Sequence, residues 1–163
     1  MAISNERDVG TLRLFSGRAN HELSLEISQI LGIELGEISI KTMGDSETHV
    51  QIEESVRGSE IYLVQPTCRP VNETLMELLI IIDAMRRASA DHITAVIPYY
   101  GYGRQDHKST GREPLSARLV SDLLANAGAD RIVSVDLHAP QIQGFFNKVS
   151  DHLTAVTTLA SHL

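Results

Sequence analysis

At 163 residues the chain is long enough for one domain with a sizeable core and too short for two comfortable ones. Its 42% hydrophobic and 21% charged composition argues against intrinsic disorder, and its longest apolar run, Leu78 to Ile82, is far below a membrane span. Twenty-one acidic against 14 basic residues give a formal net charge of −7, which argues against a surface that tracks nucleic acid, and the only cysteine, Cys68, leaves no disulfide framework.

No charged and then apolar segment opens the chain, so no membrane partner is expected and the reading is a cytoplasmic protein. Met1 to Gly10 is polar and aperiodic and is expected to be a loose terminus. Leu12 to Phe15 predicts a first strand. Asn20 is placed to cap a helix with apolar positions Leu23, Ile27, Ile30 and Leu31, and Gly32 closes it. Alternation from Glu37 to Ile52, interrupted at Gly44-Asp45-Ser46-Glu47, predicts a hairpin or bent loop with two carboxylates at its tip. Glu60 to Val64 predicts another strand.

Asn72 is expected to cap the strongest helix. Its Leu75, Leu78, Leu79, Ile82 and Met85 face one way, and Ile80 and Ile81 widen that stripe, which either a second partner surface, as in an oligomer, or a broad core contact explains equally well. Pro114 is expected at the first position of a further helix carrying Leu115, Leu119, Leu123 and Leu124, closed by Gly128. Arg131 to Leu137 predicts a strand, Gln141 to Phe146 a helical turn, and His152 to Leu163 a last helix. Strands alternating with helices call for an α/β fold, a mostly parallel sheet with helices on both faces, plus the small hairpin.

The stretch ITAVIPYYGYGRQDHKSTGREP, Ile93 to Pro114, is where the chain concentrates chemistry. A β-branched run stops at Pro98, which cannot continue a central ladder. Gly101 and Gly103 would permit a sharp turn and a close approach to a ligand. Arg104, Gln105, Asp106, His107 and Lys108 follow, with Arg112 further on. Such a cluster at the carboxyl end of a strand is where open α/β sheets bind ligands, and a solvated surface loop is the alternative. Asp136 and His138, two apart at the end of the last predicted strand, could point to one side. Arginine there suits phosphate and a nearby carboxylate suits magnesium, whereas an imidazole is more natural for zinc or iron. No Walker loop, dinucleotide glycine fingerprint or Gly-x-Ser-x-Gly elbow occurs.

The segments FSGRAN (Phe15 to Asn20), IEESVRG (Ile52 to Gly58), NETLMELLIIIDAMRRASA (Asn72 to Ala90), ITAVIPYYGYGRQD (Ile93 to Asp106) and VDLHAPQIQGFF (Val135 to Phe146) resemble ribose-phosphate pyrophosphokinase, the phosphoribosyl pyrophosphate synthetase family. The resemblance implies a phosphoribosyltransferase-type, Rossmann-like fold. The implied reaction is a transfer, by a kinase of nucleotide biosynthesis, of the β,γ-diphosphoryl group of magnesium-ATP to ribose 5-phosphate. It implies ATP contacts at Arg104, Gln105 and His138, with His138 also serving the Mg2+ ion. Asp45 and Glu47 would reach the adenine of a neighbouring subunit's ATP. Ser55 and Arg57 would match a regulatory phosphate and ADP site, in a homo-oligomer built from dimers to hexamers.

The family's adenine loop usually reads Phe-x-Asp-Gly-Glu, whereas Met43-Gly44-Asp45-Ser46-Glu47 stands here. The family chain is also about twice as long. The second domain, with the ribose-5-phosphate loop and a mobile catalytic lysine, has no counterpart in residues 1–163. The expectation is therefore a single amino-terminal, ATP-side domain that is inactive alone. The competing readings are a non-catalytic regulatory or assembly subunit of the same family and a free-standing nucleotide-binding module.

Overall fold

The structure, a computed structural model, describes residues 10–162. In chain order these form β1 (Leu12–Ser16), α1 (His21–Leu31), the hairpin β2 (Ile38–Thr42) and β3 (Thr48–Ile52), β4 (Glu60–Val64), α2 (Val71–Arg87), β5 (His92–Ile97), α3 (Ser116–Ala127), β6 (Arg131–Val135), a 3-10 turn at Pro140–Phe145, β7 (Val149–Leu153) and α4 (Val156–Ala160). The loose terminus expected over Met1 to Gly10 lies outside the described residues except for Gly10.

Five strands form one parallel sheet in the order β1-β4-β5-β6-β7, and β2 pairs antiparallel with β3. The register sets Ile61 beside Ile93, and Leu63 beside Ala95, which in turn lies beside Ile132. Alternation therefore gathers these side chains on one face, where they share a core with Leu78, Ile81, Ile82 and Met85 of α2 and with Val120 and Leu124 of α3.

α1 belongs to the other face. Beyond it, Leu35 bridges in parallel to Leu14 on the outer side of β1, so this crossover runs opposite to those of α2 and α3. A right-handed connection then places α1 on the opposite side of the sheet, and the Ser16 to Ser24 hydroxyl contact of 2.8 Å ties it there. Away from α1 this second face is only partly covered: Tyr62, Val96 and Val133 are half-buried and Leu153 is exposed.

The cap at Asn20 forms as expected, its side-chain oxygen accepting from the Leu23 N–H at 3.2 Å, and Gly32 takes the left-handed conformation at the end of α1. The second partner surface of α2 is the hairpin: β3 packs on it, and Ile38, Ile40, Val50 and Ile52 border the core. Three expectations need correction. Asn72 does not cap α2, which starts at Val71 after Pro70. Pro114 precedes α3 by two positions. The helix expected over His152 to Leu163 is not one helix, because His152 and Leu153 belong to the edge strand β7 and, among the described residues of that stretch, only Val156–Ala160 is helical. No helix among the described residues is long and apolar enough to cross a membrane.

Candidate functional site

A cleft of about 480 Å3 opens at the carboxyl ends of β5 and β6, the position where parallel sheets receive ligands. Its wall includes Tyr99, Tyr102, Arg104, Gln105, Asp136 and His138. Two loops far apart in sequence thus meet at one edge.

The β5 loop is built by close packing as much as by turning. Neither Gly101 nor Gly103 has a positive φ; the left-handed position is Tyr102, at φ 63°. The glycines serve proximity instead. The Gly101 N–H donates to Thr67 Oγ1 at 2.7 Å, and a Cβ there would stand 2.7 Å from the Thr67 carbonyl oxygen. A Cβ on Gly103 would stand 3.6 Å from that of His138, so the two loops come close together at this point. Tyr102 is steadied by its hydroxyl, which donates to the Asn72 side-chain oxygen. Tyr100 points into the core, donating to the Ala117 carbonyl at 3.1 Å and lying 2.7 Å from Ser121 Oγ. Burial pushes its phenol up to about 12, against a smaller lowering by the Ser121 hydrogen bond.

Arg104 and Gln105 leave this turn exposed. The Gln105 carbonyl accepts from the Ala117 N–H at 3.1 Å, and its Oε1 accepts from the Ser116 hydroxyl at 2.5 Å, leaving the amide NH2 as the group to offer a ligand. Asp106 turns inward. It accepts from Gln141 Nε2 at 2.5 Å and meets His107 Nδ1 at 2.8 Å, and the His107 hydrogen bond holds its carboxyl below the usual range despite burial. Gln141 carried no sequence signal, since nothing in a short polar turn marks its partner across the cleft.

Asp136 also differs from expectation. β6 ends at Val135, and Asp136 adopts φ 45°, so the two-residue alternation that would align it with His138 no longer holds. Its carboxylate turns to the segment before α4, accepting from Thr154 Oγ1 at 3.0 Å and from the Ala155 N–H at 3.3 Å. The adjacent Leu137 N–H donates to His152 Nε2 at 3.0 Å, fixing the start of the His138 loop from β7.

The remaining candidates lie elsewhere. Asp45 and Glu47 sit exposed at the hairpin tip, where Asp45 Oδ1 accepts from the Glu47 N–H at 3.1 Å and Ser46 takes φ 73°. They do not line the cleft of this chain. Ser55 and Arg57, both exposed, lie in the turn before β4, at the opposite end of the strands from the cleft. Among the described residues no three His, Cys, Asp or Glu side chains gather as a metal cluster.

Residues 12–128 match the family model for the N-terminal domain of ribose phosphate pyrophosphokinase. The chain belongs to the ribose-phosphate pyrophosphokinase family. It is 52% identical to the ribose-phosphate pyrophosphokinase of Staphylococcus saprophyticus over 160 residues, which is 98% of this chain and 50% of that protein. With the ribose-phosphate pyrophosphokinase of Synechococcus elongatus the identity is 53% over 162 residues, 99% of this chain and 49% of the relative. The crystal structure of phosphoribosylpyrophosphate synthetase from Mycobacterium smegmatis superimposes with a TM-score of 0.91 at 49% identity, covering 93% of this chain and 51% of the other. The chain thus spans about half the length of the curated ribose-phosphate pyrophosphokinases that it matches.

Proposed function

We propose that this chain is the ATP-side half of a ribose-phosphate pyrophosphokinase. The cleft between the β5 and β6 loops would receive the phosphates of magnesium-ATP at Arg104, Gln105 and His138. The observation that carries the reading is the donor pattern of the cleft: a guanidinium, an amide NH2 and an imidazole line it, the one carboxylate of the wall, Asp136, is hydrogen-bonded to Thr154 and Ala155, and Asp106 outside the wall is bonded to Gln141 and His107. Such a surface suits a polyanion.

The planar fork of Arg104 can make paired charge-assisted hydrogen bonds to phosphate oxygens, and the Gln105 amide, braced by Ser116, adds a directed donor. The donor set in this half does not fit a resident magnesium ion, which prefers oxygen ligands. The metal would therefore arrive on the phosphates as part of the substrate complex, and it is the family resemblance, not ligand chemistry, that assigns His138 to it. Transfer of the β,γ-diphosphoryl group to ribose 5-phosphate depends on positioning and charge neutralisation, and this half would supply the nucleotide's share of both. The ribose 5-phosphate contacts would come from the other half, so the chain alone is inactive.

The outward hairpin tip gives Asp45 and Glu47 a place to serve the adenine of a neighbour's ATP in a cytoplasmic homo-oligomer. Ser55 and Arg57 would form part of a regulatory phosphate site remote from the cleft. The test is calorimetric titration with magnesium-ATP of the chain and of Arg104→Ala. The expected result is binding by the first and loss of about ten-fold or more in the second, as for a charge-assisted pair. A folded chain that binds no magnesium-ATP, or that turns over ATP with ribose 5-phosphate unaided, would overturn the reading.

A further inference from the structure

Asp106 is 6% exposed within a run whose neighbours Arg104, Gln105, His107 and Lys108 are all exposed. A carboxylate is not withdrawn from water without partners. It has two: Oδ1 meets His107 Nδ1 at 2.8 Å on its own loop, and Oδ2 accepts from Gln141 Nε2 at 2.5 Å. Gln141 belongs to the 3-10 turn that begins two residues after His138. Asp106 therefore bridges the loop after β5 to the loop after β6, and it does so immediately behind the residues that line the cleft. Gly103 and His138, both in the cleft wall, approach closely at the same junction.

We infer that Asp106 is a positioning residue: its link to Gln141 sets the distance and angle between the Arg104–Gln105 arm and His138. The inference rests on the nucleotide reading of this cleft. Asp106 is not among the residues of the cleft wall, and both of its oxygens are engaged by protein donors. It acts through its neighbours, not on a ligand. The Gln105 backbone is already tied to α3 through Ala117, so the arm has one anchor behind it and Asp106 supplies a second from across the cleft. Two anchors fix an orientation where one leaves a hinge.

The experiment uses this chain with Asp106→Ala, Asp106→Asn, Gln141→Ala and the double Asp106→Ala/Gln141→Ala variant. It reads magnesium-ATP affinity and, in the absence of nucleotide, amide hydrogen exchange over residues 104–107 and 140–145. Asp106→Ala and Gln141→Ala are each expected to weaken binding by about ten-fold, with the double variant no worse than the poorer single one, as for partners in one link. Asparagine keeps an acceptor for Gln141 and can donate to an unprotonated His107 Nδ1, so Asp106→Asn is expected to recover most of the affinity. Exchange in both segments should quicken in Asp106→Ala and return toward normal in Asp106→Asn. Gln141 is exposed, so its variant separates loss of the link from a failure to fold.

Equal loss of affinity in Asp106→Ala and Asp106→Asn with unchanged exchange would overturn the inference, since the charge would then act on the ligand directly. Unchanged affinity and exchange in Asp106→Ala would overturn it as well. Absence of binding in the unmodified chain sinks the nucleotide reading alone, because exchange in the free protein still decides whether Asp106 joins the two loops.

Discussion

Gly101 offers the sharpest test of how the cleft is built. A Cβ added there would lie 2.7 Å from the Thr67 carbonyl oxygen, 2.8 Å from Val71 Cγ1 and 3.0 Å from Thr67 Oγ1. Val71 can rotate away, but Thr67 cannot retreat cheaply. Its N–H and its hydroxyl both donate to the Tyr99 carbonyl, at 2.9 and 3.0 Å. Relief must come from lifting the 99–103 turn, which also breaks the 2.7 Å hydrogen bond from the Gly101 N–H. Overpacking of about 1–3 kcal/mol and a lost hydrogen bond of about 1 kcal/mol give a cost of about 2–4 kcal/mol for Gly101→Ala. For a chain of this size that corresponds to a fall in Tm of roughly 4–16 °C. Gly103→Ala is the internal control: its nearest contacts are the Tyr100 carbonyl at 3.1 Å and His138 Cβ at 3.6 Å. Small adjustments accommodate it, at a cost within about 1 kcal/mol. Urea and thermal unfolding of both variants provide the measurement. A Gly101→Ala variant as stable as the unmodified chain, or a Gly103→Ala variant equally damaged, would refute the argument that Gly101 is required for close approach.

Tyr100 gives a second prediction, through its pKa. Its phenol is pushed from 10.0 to about 12, chiefly by burial, so the unfolded chain releases the proton first as pH rises. The stabilisation is fully present below pH about 10 and is lost between there and about 12. Ultraviolet titration should show one tyrosine ionising late, and Tyr100→Phe should remove that late step while costing about 1 kcal/mol in urea unfolding for the lost hydroxyl contacts. Glu113 works in the opposite sense. The Thr110 hydroxyl, the Thr110 N–H and the Ser109 N–H hold its carboxyl below the ordinary 4.5, so the order it gives the 109–113 loop is present above that value and fades as pH falls through the lowered one. Protection of the Ser109 and Thr110 amides, relative to their intrinsic exchange at each pH, should fall on acidification and in Glu113→Ala at neutral pH. Identical exchange in that variant would refute the assignment.

Four of the five sheet strands were legible because each carries a cluster of β-branched or apolar residues, and the helices because they carry apolar stripes at helical spacing. The Asn20 cap and the Gly32 stop follow local rules that tertiary structure left alone. The errors arise where distant contacts decide. Asn72 looks like a cap by composition, yet its side-chain oxygen is occupied by the Tyr102 hydroxyl thirty residues on. α3 begins two residues after Pro114, and its first turn is met from outside by Gln105, which accepts from the Ser116 hydroxyl and the Ala117 N–H. β7 escapes detection because an edge strand needs few buried side chains. Val149 and Leu153 are exposed, and Asp151 is held by Arg131 at 2.9 Å, so its sequence carries almost no apolar signal.

The same distinction explains the site. Arg104, Gln105 and His138 could be placed at one edge from strand ends alone, since parallel strands deliver their carboxyl-terminal loops to a common side. The direction of each side chain could not. Sequence spacing paired Asp136 with His138, but the strand ends at Val135, two residues before the predicted Leu137, and Asp136 faces Thr154 and Ala155 instead. That departure changes the electrostatics more than the geometry. In a chain with net charge −7, a cleft suited to a polyanion needs its hydrogen-bond donors free to face the ligand and the acceptor atoms of nearby carboxylates already occupied. Asp136 is engaged by the turn before α4 and Asp106 by Gln141 and His107. The acidic residues therefore serve the proposed site by holding its loops, while the groups left facing the cleft are predominantly hydrogen-bond donors.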